Sequence, residues 1–505
     1  GNGGSCRWSN SLVSYLEPYR PSRSSDCCCS LRVRSDVIPV CTPDEMASVD
    51  ALAPEPTDVL VTRAGAAVAR AALRELGGGY GRRIAVIVGK GLNGADGRVA
   101  ADRLARRGAR TAVIDAADLG DRLPAIGDHA VDLVVDAAYG TGLGRPFEAP
   151  TVGAPVLAVD LPSGLDGLTG EARGRPLTAC RTVALGALKP GLLLGDGPAL
   201  AGRCEVADLG LDLSGIVTHL IEDSDIADMV PGRLRDAHKW LSACWVIAGS
   251  PGMEGAAGLV ATAALRAGAG YVRLSMFGGC DPMAPVEVVR TPVSAELELG
   301  VWDEKDQTRF ASMVIGPGLS TTTKVADAVR SLVVSPGPPL VVDGDGLTAL
   351  AGVSLTPARP LVLTPHDGEF TRLVGRPPGP DRLGAARGLA ADVGAVVLLK
   401  GSTTVVAAPN GKVLLAAAGD SRLATAGAGD VLAGIIGAFL ARGAEPFAAA
   451  AAAAHVHGRL AAGMGMGDGF TTGVAASDLA ARLVAVLTEL SVDAAAYGHI
   501  SGGAR

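Results

Sequence analysis

The stretch Ala424-Thr425-Ala426-Gly427-Ala428-Gly429-Asp430 sets two glycines and one carboxylate ahead of an apolar segment, Val431 to Ala441. Gly427 and Gly429 let the backbone turn tightly with its N–H groups pointing one way, and a helix starting there adds the positive end of its dipole. The result is an anion cradle. A carboxylate beside such a cradle is electrostatically awkward unless it handles a proton or a metal. Phosphoryl transfer uses this pairing: amides hold the developing negative charge while a base deprotonates the attacking hydroxyl. The plainer reading is a helix start with Asp430 as its cap.

The elements that position this stretch must come from a chain of 505 residues, too long for one core, so two or three domains are expected. With 48% hydrophobic and 19% charged residues most of it can pack, and 69 glycines with few aromatics predict an Ala/Val/Leu core with tight loops. A net charge of −7 without basic runs argues against nucleic acid as the main partner. The nine cysteines include no Cys-x-x-Cys pair, and Cys180, Cys204, Cys244 and Cys280 stand alone, so neither a disulfide framework nor a zinc site is expected and a reducing cytoplasm fits best. Cys27-Cys28-Cys29 reads as incidental. No apolar run reaches the ~18 residues needed to span a bilayer, so no membrane association is expected. Residues 1–36 lack a signal-peptide core and read as a disordered leader.

In the first half, Thr42-Pro43-Asp44-Glu45 is a capping box that predicts a helix from Pro43, and a second helix is expected from Asp58 to Leu76. Strands follow at Arg83–Gly89, Thr111–Asp115, Val131–Asp136, Pro155–Asp160, Arg181–Leu185 and Arg203–Ala207, with a loop at Gly91–Gly97 and a helix at Arg98–Arg107. This alternation predicts an open, mainly parallel sheet with helices on both faces, a Rossmann-like three-layer sandwich. Ligands bind at the carboxyl ends of such strands, where Asp96, Asp115, Asp136 and Asp160 fall. Gly89-Lys90-Gly91-Leu92-Asn93-Gly94 satisfies Gly-x-Gly-x-x-Gly, a first indication of a dinucleotide fold. The loop continues as Ala95-Asp96-Gly97, however, placing an amide and a carboxylate where pyrophosphate prefers bare backbone. Oxygens of Asn93, Asp136 and Ser163 can ring a hard monovalent cation, leaving Asp160 free as an acid or base.

These motifs, with Asp136-Ala137-Ala138-Tyr139-Gly140-Thr141-Gly142-Leu143 and Asp160-Leu161-Pro162-Ser163-Gly164, resemble the NAD(P)H-hydrate epimerase family of the YjeF N-terminal type. The resemblance implies that Leu92, Asn93, Gly94, Ala95 and Asp96, with Gly140, Thr141, Gly142, Leu143, Gly144, Arg145 and Pro146, line the hydrated-dinucleotide site. It also implies that Asp160 contacts substrate and that Asn93, Asp136 and Ser163 hold potassium. Leu92 stands where the family usually has Asn, Ala95 where it has Gly, and Arg63 where an Asn often precedes Ala-Gly.

The pattern loosens from 214 to 235, which reads as a linker, and a second α/β region runs from 236 to 492 ahead of a tail at 493–505; the first domain is bounded at 37–213. Buried strands are expected at Trp245–Gly249, Ser312–Leu319, Leu340–Asp345 and Leu361–His366, the last three ending in polar loop residues, and at Val396–Thr404, ending in a Lys-Gly turn. No P-loop motif occurs. Gly316-Pro317-Gly318, Thr364-Pro365-His366-Asp367-Gly368-Glu369, Lys400-Gly401-Ser402-Thr403 and Gly427-Ala428-Gly429-Asp430, in that order, resemble the ribokinase-like superfamily and, within it, the ADP- or ATP-dependent NAD(P)H-hydrate dehydratases. By that resemblance Ala257, Gly318, His366 and Asp430 meet the hydrated nucleotide. Lys400, Gly401, Ser402, Thr403 and Thr404 with Gly429 meet the adenine nucleotide. Met253 and Asp367 depart from the family's usual aromatic residue and Pro. His366 read blandly is a capping loop residue, and His455 and His457, two apart on a helix, do not make a metal pair.

The expected chain is a two-domain α/β enzyme repairing hydrated NAD(P)H (NAD(P)HX), with Mg²⁺ and ADP or ATP at the second site, K⁺ at the first, and assembly as a homo-oligomer. Asp430 and Asp160 are its expected catalytic residues. The rival is a ribokinase-like kinase of a vitamin alcohol, carrying a non-catalytic N-terminal binding domain.

Overall fold

Thr42 and Glu45 close their capping box: Glu45 N–H donates to Thr42 Oγ1 at 3.2 Å and Thr42 N–H to Glu45 Oε2 at 2.8 Å, and the helix Pro43–Ala51 follows. The computed structural model describes residues 38–500 apart from 124–125, 127–129, 234, 279–283, 292–303, 355, 463 and 465–472. The expected leader at 1–36, the Cys27–Cys29 tract and Cys280 lie outside the described residues. Of the other lone cysteines, Cys204 and Cys244 are buried, and burial pushes both thiols up to about 12; Cys180 is exposed rather than sheltered. Among the described residues no helix is long and apolar enough to cross a membrane.

The chain divides into two units between Ile216 and Val217. In the first, six parallel strands run in the order Arg110–Asp115, Arg83–Val88, Leu133–Ala137, Val156–Val159, Arg181–Leu185, Arg203–Ala207. The order reverses beside Arg83–Val88, so the cleft between its end and that of Leu133–Ala137 is the switch point where such sheets take ligands. Helices Thr57–Leu76 and Leu92–Ala105 pack on one face, over Ile84, Val86 and Val88. The other face, around Ile87, Val134 and Ala158, is covered by Leu119, Leu123, Tyr139, Phe147 and Val152 from connecting segments, where helices were expected.

The expected loop at Gly91–Gly97 is instead the start of the helix Leu92–Ala105. Its glycines serve close packing: a Cβ on Gly94 would lie 2.0 Å from Gly89 O, and one on Gly97 2.5 Å from Ala137 Cβ. Gly94→Ala is therefore expected to cost the first unit about 1–3 kcal/mol through overpacking against backbone, read as an earlier denaturation midpoint. An unshifted midpoint would show that the helix lifts off the sheet freely.

In the second unit the strands run Thr218–Leu220, Val413–Ala416, Thr404–Ala407, Val396–Leu399, Leu361–Leu363, Leu340–Val342, Ser312–Ile315, Ala243–Ile247, Tyr271–Ser275, Val289–Arg290. All pair in parallel except Thr404–Ala407, which is antiparallel to both neighbours. Residues 214–235, read as a linker, contribute the strand Thr218–Leu220 to this sheet and the helix Ile226–Met229. Three residues are too few for a readable period, so tertiary pairing makes that strand. The helix Ala476–Ile500 runs past 492 into the segment expected as a tail.

The helix Ala428–Ala441 is buried along almost its whole length. Gly434 and Gly437 allow this: a Cβ on either would sit 2.4 Å from Val260 O or Val314 Cγ2 respectively. The alanines of Pro446–Ala461 make a second small-residue face, with Ala449 to Ala453 wholly buried. Large side chains would hold these layers apart; small ones let the cradle helix press onto the strands.

Candidate functional site

The carboxyl ends of the first unit's strands gather Asn93, Asp136, Asp160 and Ser163. Asp136, at the end of Leu133–Ala137, is fully buried. Its Oδ2 accepts from Ser163 N–H at 2.9 Å, and its Oδ1 from the Ser163 hydroxyl at 2.6 Å and Ala138 N–H at 3.3 Å. Burial pushes its carboxyl up, against the downward pull of those bonds. The Ser163 hydroxyl also accepts from Tyr139 N–H at 2.9 Å, so three strand-end segments share one network.

Asp160 follows Val156–Val159 and adopts φ +68, the left-handed region, which a residue with a side chain occupies at a cost of about 1 kcal/mol or more. That turn aims its carboxylate at Lys189, one of the largest fully buried side chains; Lys189 Nζ donates to Asp160 Oδ1 and, at 2.8 Å, to Leu185 O. A Cβ on Gly140 would lie 3.5 Å from Asp160 Oδ2 and 3.7 Å from Asn93 Cβ, so Gly140, Asn93 and Asp160 face one space. Both polar atoms of the Asn93 side chain are buried without a protein partner. Such groups cost about 1–3 kcal/mol each unless a ligand satisfies them. Asp96 is buried nearby; burial first, then the charges of Asp160 and Asp50, push its carboxyl up to about 8.

Gly94 and Ala95 belong to the packed first turn, whereas Leu92 is 60% exposed at the helix tip. Thr141, Gly142, Gly144, Arg145 and Pro146 lie exposed on the loop after Gly140, with Leu143 half-buried. Arg145 reaches back, donating to Tyr139 Oη at 2.9 Å with its guanidinium over that ring. Arg63 donates to Leu209 O at 2.6 Å and pairs with Glu55 at 3.0 Å, a brace for the helix Thr57–Leu76.

The second unit builds its site from four adjacent strand ends and the cradle. Gly427, at φ +87, caps the helix Ala428–Ala441, and its first turn leaves backbone N–H groups without helical acceptors. Asp430 is the third residue of that helix, three positions after the cap Gly427, so the plain capping reading does not hold. Burial first, then Asp343, Glu369 and Asp345 against the pull of Lys400, push its carboxyl up to about 7.

Lys400 follows Val396–Leu399 and Asp343 follows Leu340–Val342; Lys400 Nζ donates to Asp343 Oδ1 at 2.6 Å and stands 3.9 Å from Glu369 Oε2. Burial alone would lower the ammonium's pKa, but Asp343, Glu369 and Asp430 together raise it. Thr364 hydroxyl donates to Asp343 Oδ1 at 2.8 Å. His366 caps the helix Asp367–Val374: its Nδ1 accepts from Gly368 N–H at 3.0 Å and Glu369 N–H at 3.3 Å, leaving Nε2 at the exposed edge. The bland reading of His366 as a cap therefore holds, with Nε2 3.6 Å from Glu369 Oε1.

Gly318 sits at the switch point between Ala243–Ile247 and Ser312–Ile315, where Ser250 hydroxyl donates to its carbonyl at 2.8 Å. Ala257 is wholly buried inside the helix Glu254–Arg266, against Gly249, so it backs the site's wall rather than facing into it. Lys400 to Thr403 form the turn into Thr404–Ala407, with Gly401 and Ser402 exposed and Thr403 buried.

Asp343 and Lys189 have no assigned role in the sequence reading, Thr364 enters it only as part of its motif, and His457 only as half of a rejected metal pair. Asp343 and Lys189 carry a readable signal, a single charge amid apolar residues. His457 carries none: it is buried beside the backbone of Ala428, burial drops its imidazole to about 4, and it stays neutral.

A family profile described as NAD(P)H-hydrate dehydratase matches residues 244–485, and one described as YjeF-related protein N-terminus matches 57–123 and 116–191. The chain is 40% identical over 450 residues to the bifunctional NAD(P)H-hydrate repair enzyme Nnr of Mycobacterium leprae, covering 82% of this chain and 91% of that one. It is 36% identical over 486 residues to the Nnr enzyme of Moorella thermoacetica, covering 83% and 91%. Among solved structures, the ADP/ATP-dependent NAD(P)H-hydrate dehydratase of Bacillus subtilis co-crystallised with ATP/Mg²⁺ is similar at 29% identity and TM-score 0.48, covering 53% of this chain and 97% of that one. With two ordered strand-end sites and a match that runs through both units, the chain belongs to the family of bifunctional NAD(P)H-hydrate repair enzymes.

Proposed function

We propose that the chain restores hydrated NAD(P)H in two steps. The first unit interconverts the R and S epimers of NAD(P)HX; the second dehydrates the S epimer with ATP or ADP, giving ADP or AMP and phosphate. The observation that carries the second step is a raised carboxyl, Asp430, set at the opening of a glycine-lined helix start with Lys400 beside it.

The chemistry follows from a poor leaving group. NAD(P)HX carries a hydroxyl on the ring carbon next to nitrogen. Asp430 takes the hydroxyl proton as the oxygen attacks the terminal phosphoryl group; the amides of Ala426 to Gly429 hold the charge that develops. The ring nitrogen's lone pair then expels phosphate, and loss of a ring proton restores NAD(P)H. Among the described residues no cluster of three or more His, Cys, Asp or Glu is arranged as a metal site. Mg²⁺ would supply positive charge at the nucleotide's phosphates when bound. His366 Nε2 and Gly318 line the substrate side with Ala257 packed behind them, and Gly401 to Thr404 line the adenosine side.

In the first unit, Asn93, Asp136 and Ser163 fit potassium: the buried, unpartnered Asn93 carbonyl oxygen needs a cation or substrate donor, and Asp136 brings an anionic oxygen already oriented by Ser163. Bound there, potassium supplies fixed positive charge at the switch point. Asp160, held by Lys189, handles the proton at the epimerising carbon; Leu92 to Asp96 and Gly140 to Pro146 contact the dinucleotide.

Mixed epimers tested with ATP and ADP in parallel decide the reading: complete conversion of the pool to NAD(P)H is expected. Conversion that stops when one epimer is spent would remove the epimerase; a stable phosphorylated alcohol from a vitamin substrate would favour the kinase rival.

Because Asp430 works as a base only when ionised, and its carboxyl is raised to about 7, kcat/KM for dehydration is expected to fall about tenfold per pH unit below about 7 and to level off above it. A profile flat from pH 5 to 8 would assign the proton to another group.

A further inference from the structure

Lys400 is expected on the nucleotide, yet the structure turns its ammonium inward. Nζ meets Asp343 Oδ1 at 2.6 Å, Glu369 Oε2 stands 3.9 Å away, and Asp343 is itself fixed by the Thr364 hydroxyl at 2.8 Å. Asp343 is 3% exposed. A Cβ on Gly429 would lie 3.3 Å from Lys400 Nζ and 3.7 Å from Asp343 Oδ2, so the missing side chain leaves the cradle open onto this pair. A buried carboxylate so close to a phosphoryl site would repel the incoming group unless a cation stood between them. Lys400 stands there.

We propose that Asp343 is a positioning residue for the dehydration: it anchors Lys400 under Gly429, so that the ammonium meets the transferring phosphoryl group rather than the adenosine. One hydrogen-bonded carboxylate and a second at ion-pair distance hold the flexible lysine stem in place while leaving it donors for an incoming oxygen. A lysine free in solvent would have to be ordered at every turnover. The inference rests on the repair reading, because it assigns Lys400 to the reacting end of the nucleotide.

The test is a double-mutant cycle in the full chain, Asp343→Asn, Lys400→Met and both together, assayed on S-NAD(P)HX with ATP. Each single change is expected to lower kcat ten- to a hundredfold with KM for ATP changed less than threefold. The double variant is expected to match Lys400→Met within threefold, since Asp343 acts through the lysine. The groups facing Asp430 are Asp343, Glu369, Asp345 and Lys400. Removing the Asp343 charge should therefore also move the acid limb of kcat/KM to lower pH. Additive losses, or an unmoved acid limb with wild-type kcat, would overturn the proposal; a KM effect alone would return Lys400 to the adenosine. If Asp343→Asn fails to fold, Thr364→Val, which frees the anchor without removing charge, is expected to give the same kcat-weighted loss, and wild-type kcat in that variant would overturn the proposal too. Wild-type protein that restores no NAD(P)H would instead defeat the repair reading itself.

Discussion

Asp430→Asn is expected to reduce nucleotide-dependent recovery of NAD(P)H by about 10²–10⁴-fold while epimer interconversion continues at the wild-type rate. The substitution keeps shape and removes only the ability to take a proton. It also removes a buried charge. Asp430 has its folded pKa raised to about 7 from an ordinary 3.8, so the ionised form is penalised in the fold; that penalty is present in full above about pH 7 and fades as pH falls towards 3.8. The Asn variant should accordingly be at least as stable as wild type at pH 8, which separates loss of the base from loss of fold. Recovery retained at more than a tenth of the wild-type rate would move the base elsewhere, with Glu369, also raised by burial, next in line.

The second large effect is expected at the buried pair of the first unit. Lys189→Met should destabilise that unit by about 3–5 kcal/mol, because it leaves the Asp160 carboxylate buried without its cation. Asp160→Asn should stop epimerisation, and Asp160→Asn with Lys189→Met should regain most of the stability without regaining the reaction. Nucleotide-dependent dehydration of the S epimer is expected to continue in all three. Chromatographic separation of the epimers with denaturant curves reads both quantities. Wild-type interconversion by Asp160→Asn would reduce the first unit to a binding module. A Lys189→Met curve that overlays wild type would mean that Asp160 reaches solvent in the folded state.

Much of this was legible along the chain because it depends on local rules. Period-two and apolar runs mark the strands; glycine and proline mark their ends; charges at those ends mark where ligands bind in parallel sheets. Gly427 to Asp430 and Asp160 to Gly164 announce themselves because each packs its chemistry into a few consecutive residues. The capping box at Thr42 and Glu45 is local in the same sense and forms as its spacing requires.

The tertiary structure decided what depends on neighbours distant in sequence. Gly94 and Gly97 read as loop residues until the strand ends at Gly89 and Ala137 come within contact distance, and then they are the only residue type a helix can carry there. Thr218–Leu220 becomes a strand through Val413–Ala416, roughly two hundred residues away. Lys400 reads as a phosphate ligand by its turn, but its inward pose is set by Asp343, which is 57 residues earlier, and by the Cβ that Gly429 lacks. Asp160 and Lys189 each look like an isolated charge; only the left-handed turn at Asp160 makes them a pair. Periodicity records which face of an element is buried. Which charges share that burial, and so which of them bind, anchor or move a proton, is settled by the packing of strand ends against one another.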